Sequence, residues 1–223
     1  MKRSVIVGIM MMVFGGVFAP SAADALALAS PEGDLLPLAK SMPESHVAAP
    51  LPSGFVSFCI RFADQCATVT TEPASVTLTP AVWEELQSIN DQVNHALTPV
   101  DDLAHYGIAE YWTIPTDGKG DCEDYALMKR KELIAAGIPA RALRIAVVRT
   151  AKSEGHAVLT VATDHGDFVL DNLAQTVLSW DNTGYRWIER QDPNDGWAWV
   201  TLSPVQSEPL VAAMPVGGAT PGH

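Results

Sequence analysis

The stretch GDCEDYALMKRKELIAAGIPAR, residues 120–141, has the pattern of an amphipathic helix that begins at a cysteine. Its apolar positions are Ala126, Leu127, Leu133 and Ile134. The cationic run from Lys129 to Lys131 is expected on the outer side of that helix. Gly137 and Pro139 are typical stop signals, so the helix is predicted to end just before them. Cys122 then lies at the helix N-terminus, among three acidic residues.

Strand patterns follow this helix. Three segments are rich in β-branched and other apolar residues and are separated by short polar turns. They are ALRIAVVRT (142–150), HAVLTVAT (156–163) and FVLDN (168–172). Such segments are typical of an antiparallel meander. One or two further strands are expected within residues 183–202.

Upstream, Thr79 and Pro80 resemble a helix cap and first helical residue, and Pro99 is expected to end that helix. The segment GFVSFCIRF (54–62) suggests a short strand or extended segment. Helices followed by strands predict an α+β fold in which the cysteine helix packs on an antiparallel sheet.

The N-terminus has the features of a secretory signal peptide. Two basic residues, Lys2 and Arg3, precede an apolar run and then Ala-x-Ala sequences near residue 25. An uncleaved membrane anchor is the alternative, but the apolar run is short for a span of about 20 residues. We therefore predict a signal peptide at 1–25 and a mature protein in the periplasm of a Gram-negative host.

Composition divides the remaining chain into three parts. Residues 26–53 are rich in Pro and Ala and are interpreted as an arm or linker, 54–204 as the folded domain, and 205–223 as a disordered tail.

The formal net charge of −12 disfavours nucleic-acid binding, because phosphate recognition needs basic patches.

The chain has three cysteines. Cys59 and Cys66 are close enough in sequence to form a small-loop disulfide in an oxidising compartment, which would leave Cys122 as a free thiol. The alternative is that all three are unpaired structural residues.

Cys122, His156 and Asp171 form the candidate catalytic set. His156 opens the second predicted strand and Asp171 ends the third, so the two could face each other across the hairpin. A helix N-terminus and a nearby imidazolium lower the pKa of a thiol, and a carboxylate orients the imidazole. The set suits a cysteine nucleophile, a general acid-base and an orienting group.

The acids beside the cysteine admit two interpretations. Asp121, Glu123 and Asp124 repel one another, so a calcium ion would complement them. Acids at the first turn of a helix also interact favourably with the helix dipole, so a capping role explains them as well.

The blocks GKGDCEDYALMKRKELIAAGIPARALRIAVV (118–148) and GHAVLTVATDHGDFVLDN (155–172) resemble the bacterial transglutaminase-like cysteine proteinases, the family of LapG-type periplasmic proteases. The similarity extends over residues 78–202. It implies a papain/transglutaminase-like fold, with Cys122 as nucleophile, His156 as general acid-base and Asp171 as orienting group. It also implies calcium bound by Asp121, Glu123 and Asp124.

The resemblance further implies partners. Members of this family cut a large surface adhesin, and an inner-membrane receptor that senses cyclic di-GMP sequesters the protease. The expected function is therefore a calcium-dependent periplasmic cysteine endopeptidase that processes such a protein. The alternatives are an amidase or transglutaminase on the same scaffold, and a non-catalytic calcium-responsive binding module.

Overall fold

The computed structural model describes residues 35–43, 47–67 and 70–202. The predicted signal peptide (1–25) and tail (205–223) lie outside these residues. Among the helices described, none is both long and apolar enough to cross a bilayer.

The helical elements begin and end where capping signals stand in the sequence. Within the described residues, the α-helices are α1 (Ser53–Arg61), α2 (Pro80–Ala96), α3 (Asp102–Tyr106) and α4 (Cys122–Ala135), with 3₁₀ turns at Ala63–Cys66, Ala140–Ala142 and Trp180–Asn182. The hydroxyl of Thr79 accepts the N–H of Val82 at 3.2 Å, and Pro80 is the first residue of α2, as predicted.

The end of α4 is also the predicted one. Gly137 has a positive φ of 92°, which glycine adopts without the Cβ clash that other residues meet. Its N–H donates to the carbonyl of Ile134, and the N–H of Ile138 donates to the carbonyl of Leu133. This pair of hydrogen bonds is a Schellman motif, which satisfies the last carbonyls of the helix.

The segment GFVSFCIRF is helical up to Arg61, so its prediction as a short strand or extended segment was wrong. Phe55, Phe58 and Cys59 are buried and recur at helical spacing, while Ser57 and Ile60 are exposed. Burial of that face against the core outweighs the β-propensity of the aromatic and β-branched residues. Cys59 is bonded to Cys66, and Cys122 is the free cysteine of the described chain.

The strands form an antiparallel sheet and a small parallel pair. Their bounds are β1 (Thr98–Pro99), β2 (Lys119–Gly120), β3 (Leu143–Arg149), β4 (Gly155–Thr163), β5 (Gly166–Leu170), β6 (Leu178–Ser179), β7 (Arg186–Gln191) and β8 (Trp199–Thr201). Among the described residues, β1 pairs with β2, and the main sheet has the order β6-β5-β4-β3-β7-β8. The predicted α+β class, with helices preceding an antiparallel sheet, is confirmed.

One face of the sheet carries the main core. Side chains of β3, β4 and β5 there pack with the apolar faces of α2 and α4; they include Ile145, Leu159, Leu170, Leu86, Ile89, Val93, Leu127 and Leu133. A second cluster on the opposite face contains Val148, Val158 and Val169, covered by Trp180, Tyr185 and Trp187. Packing on the first face fixes α4 against β4 and β3.

The cationic run of α4 is not uniformly on the outside, contrary to prediction. Lys131 is exposed, but Lys129 and Arg130 are buried. Lys129 Nζ donates to Oδ1 of Asn90 at 2.9 Å, and Arg130 donates to the carbonyls of Gln65 and Leu143. Their long side chains reach polar partners inside the fold, which the spacing of α4 alone does not reveal.

The described part of the predicted arm is packed against the sheet. The N–H of Ala39 donates to the carbonyl of His165, and the N–H of Met42 donates to the buried carboxylate of Asp167 at 2.7 Å. Ala48 forms a bridge with Val200. These contacts differ from the loose packing expected for 26–53, because the β4–β5 turn, the Asp167 carboxylate and edge strand β8 bind a segment that has no periodic pattern of its own.

Lys129 gives a pH-dependent contribution to stability. Burial lowers its pKa from 10.5 to about 7. Between these values the unfolded chain holds the proton and the folded chain releases it, so raising the pH stabilises the folded protein. We expect the free energy of unfolding of the native protein, relative to Lys129→Met, to rise from pH 7 to pH 9 at up to about 1.4 kcal/mol per pH unit.

The matched control is Lys131→Met, which removes an exposed lysine from the same helix. Its unfolding free energy, measured by urea denaturation, should track the native protein across the same pH range. A difference between native protein and Lys129→Met that stays constant with pH would contradict the buried-amine assignment.

Candidate active site

Cys122 is the first residue of α4, and the segment before it is tightly constrained. Gly120 pairs with Pro99 in the small parallel sheet, and the carbonyl of Gly120 accepts the N–H of Val100. A Cβ on Gly120 would stand 2.7 Å from the Asp124 side chain, so only glycine fits there. The strand pairing and the close approach together set where the cysteine helix begins.

The thiol of Cys122 lies beside the strand that carries His156. Its Sγ accepts the backbone N–H of Ala157, the next residue of β4, at 3.4 Å, and donates to Oε2 of Glu123 at 3.1 Å. Burial raises the pKa of the thiol well above its usual range, and the charge of Glu123 raises it further. This differs from the lowered pKa expected at a helix N-terminus, because desolvation and the adjacent carboxylate oppose the thiolate.

His156 and Asp171 are brought together. Nε2 of His156 lies 2.8 Å from Oδ1 of Asp171, and both side chains are buried. Burial pushes the pKa of Asp171 upward, but its hydrogen-bond and charge partners, His156 foremost, together outweigh it, so the pKa is lowered overall. Asp171 is therefore a carboxylate that faces an imidazole, an arrangement that fixes the ring's orientation.

The turn that carries Asp171 is held by two asparagines of α2. The N–H of Asp171 donates to Oδ1 of Asn90 at 3.0 Å, and Nδ2 of Asn94 donates to the carbonyl of Asp171 at 2.9 Å. Sequence reasoning missed both. Asn90 follows Ile89 and lies on the apolar face of α2. A polar residue at such a position indicates a buried amide that needs hydrogen-bond partners, and this was the signal by which Asn90 could have been found.

A group of three carboxylates lies next to the thiol. Oxygen atoms of Asp102, Asp121 and Glu123 all lie within 4.8 Å of one another. The N–H of Asp102 donates to Oδ2 of Asp121 at 3.2 Å, whereas Oδ1 of each aspartate is buried without a hydrogen-bond partner among the described residues. Burial raises the pKa of all three, that of Glu123 to about 9. The charge of Asp121 adds to the rise for Glu123, that of Asp102 adds to the rise for Asp121, and that of Glu110 adds to the rise for Asp102.

The clustered carboxylates are not the same three residues as the predicted calcium ligands. Asp124 points elsewhere: its Oδ1 accepts the N–H of Thr113 at 2.7 Å, and burial raises its pKa to about 8. Asp102 takes its place, although it precedes Asp121 by 19 residues. Asp101 caps α3 through the N–H of Leu103, which leaves Asp102 to turn inward.

The capping interpretation does not account for Asp121. This residue occupies the N-cap position of α4, but its side chain makes no hydrogen bond to the first turn of the helix. The carboxylate instead turns toward Asp102. Asp121 therefore does not act as a side-chain cap of α4.

Comparisons with solved structures find Legionella pneumophila LapG in several forms. The EGTA-treated form is 27% identical over 51% of this chain and 64% of that chain, with a TM-score of 0.44. A second structure is 26% identical over 52% and 66%, with a TM-score of 0.45. The calcium-bound form is 20% identical over 71% and 86%, with a TM-score of 0.47. The chain thus spans about two thirds of the length of the first two.

A search of curated proteins finds no match. The model of one family, described as bacterial transglutaminase-like cysteine proteinase (BTLCP), matches residues 45–207. That range contains the free thiol, the imidazole–carboxylate pair and the carboxylate group described above. The chain belongs to the bacterial transglutaminase-like cysteine proteinases.

Proposed function

We propose that the protein is a cysteine endopeptidase in which Cys122 is the nucleophile, His156 the general acid-base and Asp171 the orienting carboxylate. The observation that carries the proposal is the 2.8 Å contact between His156 and Asp171, together with the Cys122 sulfur held against the N–H of the residue after His156. Membership of a cysteine-peptidase family supports the same assignment.

The reaction follows from these groups. The thiol gives its proton to His156, and the sulfur attacks the carbonyl carbon of the scissile peptide bond. His156 then protonates the leaving amine, which departs and leaves a thioester on Cys122. Water, deprotonated by His156, hydrolyses the thioester and restores the thiol. Asp171 stabilises the imidazolium formed in each half of the cycle.

Calcium is the cation that fits the carboxylate group best. Asp102, Asp121 and Glu123 offer only oxygen ligands, and two of those oxygens are buried without partners among the described residues. Burial raises the pKa of each residue, and the charge of a neighbouring carboxylate adds to the rise; a divalent cation would relieve both effects. When bound, calcium supplies positive charge that offsets the effect of Glu123 on the thiol.

Localisation and partners belong to the same proposal. The signal-peptide pattern of residues 1–25 supports export to the periplasm. For the substrate, we propose a large adhesin-type surface protein, and for regulation an inner-membrane receptor of cyclic di-GMP, as the family resemblance implies. A very long, repeat-rich exported protein encoded beside this chain, and cleaved by it when the two are mixed, would support the substrate assignment.

Substitution of His156 tests the catalytic set. In an assay that detects new N-termini in a peptide library by mass spectrometry, Cys122→Ala should give no products. His156→Gln should lower the rate by at least about 10²-fold, since it removes the general acid-base. The control is His95→Gln, which alters an exposed imidazole on α2 and should leave the rate unchanged. Native activity in His156→Gln would refute the assignment.

An amine acceptor distinguishes hydrolysis from transfer. A transglutaminase on this scaffold would form the same thioester but pass it to an amine rather than to water. We expect peptides incubated with the protein and dansylcadaverine to be cleaved rather than labelled. Labelling in excess of cleavage would replace the peptidase proposal by the transferase.

Calorimetric titration with calcium chloride tests the cation site. We expect Asp102→Asn and Asp121→Asn each to weaken calcium binding by at least about tenfold, because each removes one negative ligand. The control is Asp101→Asn, which removes the neighbouring charge but keeps a side chain able to cap α3. Equal weakening by all three variants would indicate general electrostatic attraction, and no binding by the native protein would exclude the site.

A further inference from the structure

Tyr185 contacts both members of the imidazole–carboxylate pair. Its hydroxyl donates to Oδ2 of Asp171 at 2.5 Å, and its ring meets the His156 ring edge-on, with 5.6 Å between centroids. No pattern in the sequence pointed to this residue, which follows Asp171 by 14 positions. It lies between Gly184 and the start of β7.

The two oxygens of Asp171 have separate partners. Oδ1 lies against His156 and also accepts the N–H of Leu173 at 2.9 Å, whereas the hydrogen bond to Oδ2 comes from Tyr185. The terminal bond of an aspartate side chain rotates over a broad range of angles, because its torsion has no sharp minima. The N–H of Leu173 alone therefore leaves the plane of the carboxylate loosely fixed. A second donor on the opposite oxygen fixes that plane.

We propose that Tyr185 is a positioning residue for the proposed cysteine peptidase: its hydroxyl fixes the Asp171 carboxylate so that Oδ1 faces His156. This inference rests on the catalytic set proposed above and extends it by one residue, which acts through Asp171 rather than on the substrate.

The charge state of the phenol agrees with that role. Burial raises the pKa of Tyr185, and the adjacent Asp171 carboxylate raises it further, so the hydroxyl keeps its proton and remains a donor. The same hydrogen bond is one of the contacts that lower the pKa of Asp171, after the stronger effects of His156 and of Leu173. A charge-assisted hydrogen bond of this kind is about twice as strong as a neutral one.

A purely structural role is the competing explanation. The Tyr185 ring covers the second apolar cluster of the sheet, beside Trp180 and Trp187, and the phenyl ring alone would serve that packing. Phenylalanine keeps the ring and removes the hydroxyl, so Tyr185→Phe separates positioning from packing.

Tyr185→Phe is expected to lower kcat by about tenfold, with KM changed less than twofold, because the hydroxyl orders catalytic groups and does not bind substrate. Proton NMR gives a readout that does not need turnover. The low-field resonance of the His156 Nε2 proton, identified by its loss in His156→Gln, should shift in Tyr185→Phe.

The matched control is Tyr125→Phe. It removes another tyrosine hydroxyl that donates to a buried acceptor, the carbonyl of Leu97, at 2.7 Å. We expect this variant to lose stability without moving the His156 resonance. In an Asp171→Ala background, Tyr185→Phe should change kcat less than twofold, since a residue that acts through Asp171 has nothing left to position.

The outcomes separate the inference from the proposed function. An unchanged His156 resonance and unchanged kcat in Tyr185→Phe would overturn the positioning role, as would a full tenfold loss in the Asp171→Ala background. If the native protein cleaves no peptide while the resonance still shifts in Tyr185→Phe, the peptidase proposal fails, but the coupling of Tyr185 to the imidazole–carboxylate pair is upheld.

Discussion

The packing of α4 across the first face of the sheet is the constraint on which the site depends. Leu127 and Leu133 anchor the helix against β3 and β4, and its first turn thereby lies at the start of β4. The thiol at the end of that helix contacts the N–H of Ala157, one residue after His156. Because protein cores are close-packed, this contact is a property of the whole helix–sheet interface rather than of the cysteine alone.

Burial of carboxylates beside a thiol is electrostatically unfavourable by itself. Asp102, Asp121 and Glu123 converge within a few ångströms, and the thiol donates to one of them. Natural proteins retain such crowding where a counter-charge or a function compensates for it. The group and the thiol share Glu123, so a change in the charge of one alters the ionisation of the other. This shared residue gives the proposed calcium dependence a physical basis.

Side chains from three parts of the chain hold the imidazole–carboxylate pair in place. The amide oxygen of Asn90 accepts the backbone N–H of Asp171 and also a hydrogen bond from Lys129. Tyr185 binds the carboxylate from the other side of the sheet. Two helices and a β-strand connection thus converge on one turn. Such a network explains why a lysine is buried in α4 although the helix pattern places it outside.

The sequence by itself determined the elements from α2 onward and their order. The caps at Thr79 and Gly137, the strand patterns, and the placement of Cys122, His156 and Asp171 follow from local spacing, because caps, turns and periodicity act within a few residues. It could not reveal that α1 is helical, that Asp102 replaces Asp124 among the clustered carboxylates, or that Asn90, Lys129 and Tyr185 surround Asp171. Those contacts join residues from 14 to more than 80 positions apart. They depend on how the elements pack, and only the tertiary structure decides which polar side chains must find one another when water is excluded.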